Sequence, residues 1–420
     1  MRLRPRANDT TKPKGQTMAT NETASRPRGR LPEYRTIEEA VEIARSLAPK
    51  LRERVPQAEQ LRRLPEENVN DLLAAGLIGL ENPKRWGGPE LNLDACIEVS
   101  AALAEGCSST GWVYSLWSSH MWMIGQYPEH VQEMVFSDPD SLVSSVVNTV
   151  GAPERVDGGF RWTGRGFFSS GVDHCNWLIA ALEVPAAEGE GKERRWMLIP
   201  RSDFEIVDDW YTVGLKGTGS KTIVLEDVFI PEERTVIWSE LSEGRGYGAR
   251  LHNSPLYCAA VDFTFSLPLS GPELGIARAL LRAFEGRARA RISGSSPRLA
   301  AEQTLHLTRY ARAAAQIDAA RALLLEDARR FCFMPASEAT ALDRAKCRRD
   351  VAFATQMCRE ACNSLFEAAG GSNIFESAEI QRLWRDANVA AAHHGLTWDI
   401  NGNAYGRAVM DLPPLERFGL

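Results

Sequence analysis

An all-helical segment, a β-rich middle and a closing set of long helices make up the fold class that this sequence predicts, and three observations predict it. Apolar residues recur at helical spacing from Thr36 and again from residue 92. Between Leu142 and Val236 the chain breaks into short β-type runs divided by turn residues such as Asp157-Gly158-Gly159, Gly214 and Gly217-Thr218-Gly219. After Pro272 helical periodicity returns in stretches much longer than before. With 420 residues, 44% hydrophobic and 25% charged, the chain is long enough to bury several packed layers.

Each element follows from local chemistry. Ile37, Ala40, Val41, Ile43 and Ala44 form the stripe of a first helix over 36–46. Pro65-Glu66-Glu67 opens a second, which passes Leu72-Leu73 and stops at Gly76. Pro83 and Trp86-Gly87-Gly88 make a tight turn, and residues 92–134 resume as helices, aromatic-rich over 111–122. The β-runs are 142–147, 160–163, 177–182, 195–199 and 222–229. Helices follow over 273–291, 299–332 and 343–369, the last closed by Gly370-Gly371, with a final helix over 380–394. The organisation is therefore a disordered basic tail (1–32), an N-terminal helical domain (33–140), a middle β-domain (141–237), a connecting loop (238–270) and a C-terminal helical bundle (271–420).

The net charge of -6 argues against a nucleic-acid or anionic-membrane partner. The basic cluster of residues 1–32 has few apolar residues to bury, so disorder is its expected state, and Met18 is a candidate start. No secretory h-region and no run of eighteen apolar residues is present, which leads to a cytoplasmic expectation. The eight cysteines show no CxxC pair; Cys358 and Cys362 share a helix face but lack companions, so burial rather than a metal or disulfide is expected.

Several phrases taken together resemble the acyl-CoA dehydrogenase fold over roughly residues 35–410. They are Leu73 to Gly88, Trp162-Thr163-Gly164 through Ser169-Ser170-Gly171 and Trp177, Gly214 to Ser220, Leu225 to Pro231, and Gln381 to Asp386. The resemblance implies a β-barrel-like middle domain and a C-terminal four-helix bundle. The dehydrogenases of that fold carry a base within Tyr-Glu-Gly, whereas this chain has Ala404-Tyr405-Gly406-Arg407, and its Arg291-Ile292-Ser293-Gly294 departs from their Arg…Phe-Gly phrase. His120 among aromatics, Ser144-Ser145 before Gly151, Phe168 to His174, and Arg385-Asp386 with His393 are instead similar to the oxygenase components of two-component flavin monooxygenases. That group includes p-hydroxyphenylacetate 3-hydroxylase and the hydroxylase of secosteroid phenols.

The resemblance implies hydroxylation of an aromatic, phenolic substrate by reduced flavin and O2 through a C4a-hydroperoxyflavin, with FMNH2 or FADH2 supplied by a separate flavin reductase. Ser170 is then expected at flavin N5, and Ser169, Trp177, Thr218, Ser220, Gly370 and Gly371 around the cofactor; no GxGxxG suggests a Rossmann site. His393 is the implied base, since deprotonating a phenol activates its ring carbons and histidine titrates near neutrality. His120 is expected to hydrogen-bond the phenol, with Ser145 or Ser144 nearby and Trp117 in the same aromatic wall. On a helix, consecutive residues point about 100° apart, so His393 and His394 are expected to face different surroundings. His174 is read as structural. A homotetramer is likewise implied by the family. The alternatives are oxygenation at nitrogen or sulfur, an acyl-CoA dehydrogenase with a relocated carboxylate such as Glu273 or Glu367, and a silent binding protein on the same fold.

Overall fold

A computed structural model describes residues 36–186, 191–293 and 300–414; the basic tail of residues 1–32 lies outside them. The first helix, α1 (Ile37–Glu53), starts on a Thr36/Glu39 capping box and runs past its predicted end, because the apolar stripe continues through Leu47 and Leu51. It is followed by α2 (Val55–Leu61), α3 (Glu66–Ala74), α4 (Leu93–Ala104), α5 (Ser108–Ile124) and α6 (Glu129–Phe136). Every residue of α4 is buried, which places it as the axle against which α1, α5 and the C-terminal helices pack. Nearly all of α5 is buried too, including its serines and His120, so this helix is polar chemistry held inside the molecule.

The middle of the chain forms two sheets. One has the order β1 (Val143–Val146), β5 (Trp177–Pro185), β6 (Lys192–Pro200), β9 (Thr235–Ile237); the other runs β2 (Asn148–Val150), β4 (Gly159–Ser169), β8 (Lys221–Pro231), β7 (Glu205–Val207), with β3 (Glu154–Val156) paired to β4. The β1–β5 pairing is parallel and the others are antiparallel. Phe160, Trp162, Leu178, Met197, Ile199 and Ile223 fill the space between the sheets. The arrangement is a two-sheet stack, not a closed barrel. Near its end β4 slips register against β8 between Gly166 and Ser169, leaving Phe167 and Phe168 as a bulge.

Residues 238–266, expected as loop, fold as four short helices: α7 (Trp238–Ser242), α8 (Tyr247–His252), α9 (Pro255–Cys258) and α10 (Val261–Ser266). None is long enough to display a helical period in sequence. The long helices are α11 (Ser270–Ser293), α12 (Ala300–Cys332) and α13 (Ala341–Ala369), followed by α14 (Glu379–Ala390) and α15 (Trp398–Val409). The last two correct the sequence reading, in which one helix ran on to residue 394. After Ala390 the hydrogen bonds tighten, with Ala392 N donating to Val389 O and His393 N to Ala390 O. The fully buried Asn401 of α15 then takes the loose carbonyls, its Nδ2 donating to the oxygens of His394, Gly395 and Thr397. His393 and His394 therefore sit on a turn. All eight cysteines are free thiols, and Cys358 and Cys362 are buried. Among the described residues no helix is long and apolar enough to cross a membrane.

Candidate active site

The β4 bulge aims the two serines that follow it in opposite directions. Ser169 Oγ lies 2.8 Å from Ser144 Oγ, and Ser144 Oγ donates to the backbone oxygen of Ser170 at 2.9 Å. A carbonyl only accepts, so the proton of Ser144 is committed and Ser169 must donate to it. On the other side Ser170 Oγ lies 2.7 Å from Ser220 Oγ, Ser220 Oγ lies 2.7 Å from Thr218 Oγ1, and Thr218 Oγ1 donates to Leu215 O at 2.9 Å. The same logic runs the chain one way: Ser170 donates to Ser220, Ser220 to Thr218, Thr218 to Leu215 O. The Ser170 oxygen is left with lone pairs to offer. Gly171 and Gly219, both at positive φ, close the loops around this chain, and a Cβ on Gly171 would meet Val113 and the Trp117 ring. Gly171 N donates to Thr218 O at 2.8 Å, tying the loops together.

The Arg385-Asp386 pair of α14 anchors the far end. Asp386 Oδ1 accepts from Leu215 N at 2.7 Å and Arg385 donates to Val213 O, so the turn that supplies the Leu215 carbonyl is held by the helix that also leads to His393. Burial raises the Asp386 carboxyl from its ordinary range, opposed chiefly by Arg382.

Two imidazoles, His120 on α5 and His393 on the turn after α14, carry opposite tautomers. His120 Nδ1 lies 2.9 Å from Val143 O, so Nδ1 carries the hydrogen and the buried Nε2, which has no hydrogen-bond partner among the described residues, is a lone-pair acceptor. Burial lowers its pKa to about 4, keeping the ring neutral. Val143 and Ser144 are neighbours on β1, so the same strand segment touches His120 and the Ser170 loop. His393 is the reverse case: Gly395 N donates to its Nδ1 at 3.2 Å, so the hydrogen is on Nε2, which is a donor. Packing around the ring, then His394, lowers its pKa to about 3. His393 meets the edge of Trp112 at 5.8 Å, and Trp112 lies two turns before His120 on α5.

The sequence-predicted residues divide accordingly. Ser170, Ser220, Thr218, Ser169 and Ser144 converge, but Ser169 and Ser144 spend their hydroxyls on each other and on the loop. Of the two β1 serines, Ser145 is the one whose side chain is half-buried and not tied into the loop. Trp177 opens β5 beside Leu142. Trp117, expected in the aromatic wall around His120, is fully buried behind Gly171 with its ring 6.2 Å from that of His174, while Trp112 of the same helix meets His393. His393 and His394 correct a further expectation: on a turn the 100° rule does not apply, their rings lie 4.5 Å apart and tilted by 31°, and both line one cavity with Trp238, Phe265, Leu269 and Arg348. Gly370 caps the end of α13 and Gly371 follows it, and among the described residues no hydrogen bond joins them to the hydroxyl chain. His174 is buried and bonds Leu64 O at 3.0 Å. Of the carboxylates considered as a base, Glu273 is wholly buried on α11, and Glu367 is exposed and paired with Arg309.

Sequence reasoning missed Phe168. It holds φ +65°, a region costly for a bulky side chain, and exposes 63% of its surface beside Ser169-Ser170, with the Trp210 ring edge-on at 6.2 Å. A Phe-Phe pair in a strand gives no sign of such a backbone.

Comparison with known proteins agrees along the chain. Residues 34–134 match the family model described as acyl-CoA dehydrogenase, N-terminal domain, and residues 267–398 that described as acyl-CoA dehydrogenase, C-terminal domain. The chain is 34% identical to the oxygenase component of p-hydroxyphenylacetate 3-hydroxylase from Acinetobacter baumannii, covering 89% of each. It is 32% identical to the oxygenase component of an FADH(2)-dependent resorcinol hydroxylase from Rhizobium sp. (strain MTP-10005), over 86% of this chain and 91% of that one. Its fold superimposes on the crystal structure of the HsaA monooxygenase from M. tuberculosis with a TM-score of 0.84 and 32% identity, covering 91% of this chain and 99% of the other.

Proposed function

The chain belongs to the flavin-dependent monooxygenases of acyl-CoA dehydrogenase fold, as an oxygenase component of a two-component system, and on that premise we propose that it hydroxylates a phenol held by His120 beside Ser170. A flavin reductase is the partner such a system requires, and FADH2 or FMNH2 the form in which it delivers the cofactor. The residues fit a reduced flavin: Ser170 offers a lone pair from a buried, one-way hydroxyl chain, and Phe168 presents an exposed ring next to it. Ser170 would hold N5, Phe168 would lie along the ring system, and Ser220, Thr218 and Trp177 would shape the loop behind. When bound, reduced flavin supplies the electrons with which O2 is divided between the substrate ring and water.

The observation that carries the reading is the pair of oppositely fixed tautomers. His120 Nε2 can accept the phenol O–H, which raises electron density on the ring; a phenolate formed there would pull the imidazole pKa back up. His393 Nε2–H can donate to the oxygen that leaves as water, a different task from the base role the resemblance implied. Its cavity is lined by Trp238, Phe265 and Leu269 together with the polar Asp262, Ser266 and Arg348. The relatives' names point to small phenols such as resorcinol and p-hydroxyphenylacetate as first substrates to test. A homotetramer is supported by apolar side chains left exposed on the C-terminal helices, including Phe353, Trp398 and Val409, and by Met410 just after the last of them.

The test is the product yield per O2 consumed. His120→Asn should lose phenol hydroxylation by about 100-fold while O2 is still consumed and appears as hydrogen peroxide. Full product yield from that variant would remove His120 from the reaction.

A further inference from the structure

We propose that Thr218 and Ser220 are positioning residues that make this site select reduced over oxidised flavin, by locking the Ser170 hydroxyl as a hydrogen-bond acceptor. The inference rests on the reading that Ser170 meets flavin N5. Reduced flavin carries a hydrogen on N5 and oxidised flavin carries a lone pair there. An acceptor-only hydroxyl matches the first and faces the second acceptor to acceptor.

The lock has three parts. Leu215 O is an obligate acceptor, fixed at one end by Leu215 N on Asp386 Oδ1 and shared by Thr218 Oγ1 at 2.9 Å, Thr218 N at 3.1 Å and Trp210 Nε1 at 3.2 Å. Thr218, Ser220 and Ser170 are 1%, 6% and 6% exposed, so water offers their hydroxyls little alternative partnership. The links are all 2.7–2.9 Å, so turning Ser170 to donate toward N5 gives up one of them: either the Ser170–Ser220 bond is broken, or all three protons reverse and the Thr218 bond to Leu215 O is lost. One buried hydrogen bond of this kind corresponds to about tenfold in affinity.

The lock does not depend on Ser170 having a special environment of its own. Thr218→Val keeps the shape but removes the proton that points the chain, and Ser220 then has only Ser170 to donate to. Ser170 becomes free to donate, and oxidised flavin gains. Ser220→Ala removes the acceptor that occupies the Ser170 proton and has the same consequence. Thr218→Ser retains the hydroxyl and should retain the selectivity.

The experiment measures dissociation constants of oxidised and anaerobically reduced FMN and FAD by fluorescence, together with the midpoint potential of the bound flavin, for the full chain and its variants. Thr218→Val and Ser220→Ala should lower the reduced-to-oxidised affinity ratio by about tenfold, equivalent to about 30 mV to more negative potential for a two-electron couple, while Thr218→Ser matches the parent. Ser170→Ala should abolish the part of the ratio the hydroxyl supplies. An unchanged ratio in Thr218→Val and Ser220→Ala, with Ser170→Ala lowered, overturns the proposal alone. An unchanged ratio in Ser170→Ala overturns the placement of Ser170 at N5, and the proposal with it.

Discussion

His120 is a buried ring whose one hydrogen bond among the described residues goes to a carbonyl, and that fact decides its chemistry. A sequence shows the residue type and its aromatic surroundings, but the tautomer is set by Val143, twenty-three residues away, through a strand that only the fold brings alongside. The same is true of His393, whose hydrogen is placed by the amide of Gly395 on a turn that helical periodicity ran straight through. The Ser169-Ser170-Gly171 phrase was legible in the sequence; the direction of the Ser170 proton was not. The depressed pKa of His120 has a stability consequence. An imidazole whose folded-state pKa lies below its ordinary 6.5 leaves stability intact above that value and costs stability as pH falls toward about 4, because the unfolded chain takes up the proton first. His120 should therefore lower stability by about 2 kcal/mol between pH 7 and pH 5. Denaturant melts of the parent and His120→Gln at both pH values check this: the variant should lose less on acidification, and equal losses would contradict a buried neutral ring.

At the scale of elements, β4 shows how a strand defect becomes a site. The register slip after Gly166 inserts Phe168 at φ +65°, turns Ser169 and Ser170 to opposite sides and leaves the phenylalanine ring outside. Strain of this kind costs about 1–3 kcal/mol and persists where surrounding structure requires it. Phe168→Gly should accordingly raise unfolding stability by about 1 kcal/mol while weakening reduced-flavin binding. A melt no higher than the parent's would show that the conformation is not strained, and unaltered flavin affinity would show that it does nothing for the cofactor. The long helices and main strands were readable because amphipathic period and turn residues are local properties. The four helices within 238–266 were not, since each is a turn or two held by tertiary packing. The end of α14 was missed for a related reason: Asn401, on the next helix, takes the carbonyls that a continuing helix would have used.

For the whole molecule, the order of helices, sheets and long helices was the legible part, and the two-sheet stack in place of a closed barrel was the detail that strand runs alone leave open. What joins the layers is a set of contacts spanning the chain: α5 reaches β1 through His120, the loop after β4 reaches the loop before β8 through Ser170 and Ser220, and α14 reaches the Leu215 turn through Asp386. A cofactor lodged where these meet would be held by all three parts, and the site is arranged for flavin that arrives reduced. The most direct measurement is rapid mixing of the purified protein with anaerobically reduced FMN or FADH2 and then oxygen, following absorbance with and without a phenol. A transient that long outlives the oxidation of free reduced flavin, and that yields hydroxylated phenol as it decays, is the predicted result. Oxidation at the rate of free flavin with both cofactors, and no hydroxylated product, would contradict the account.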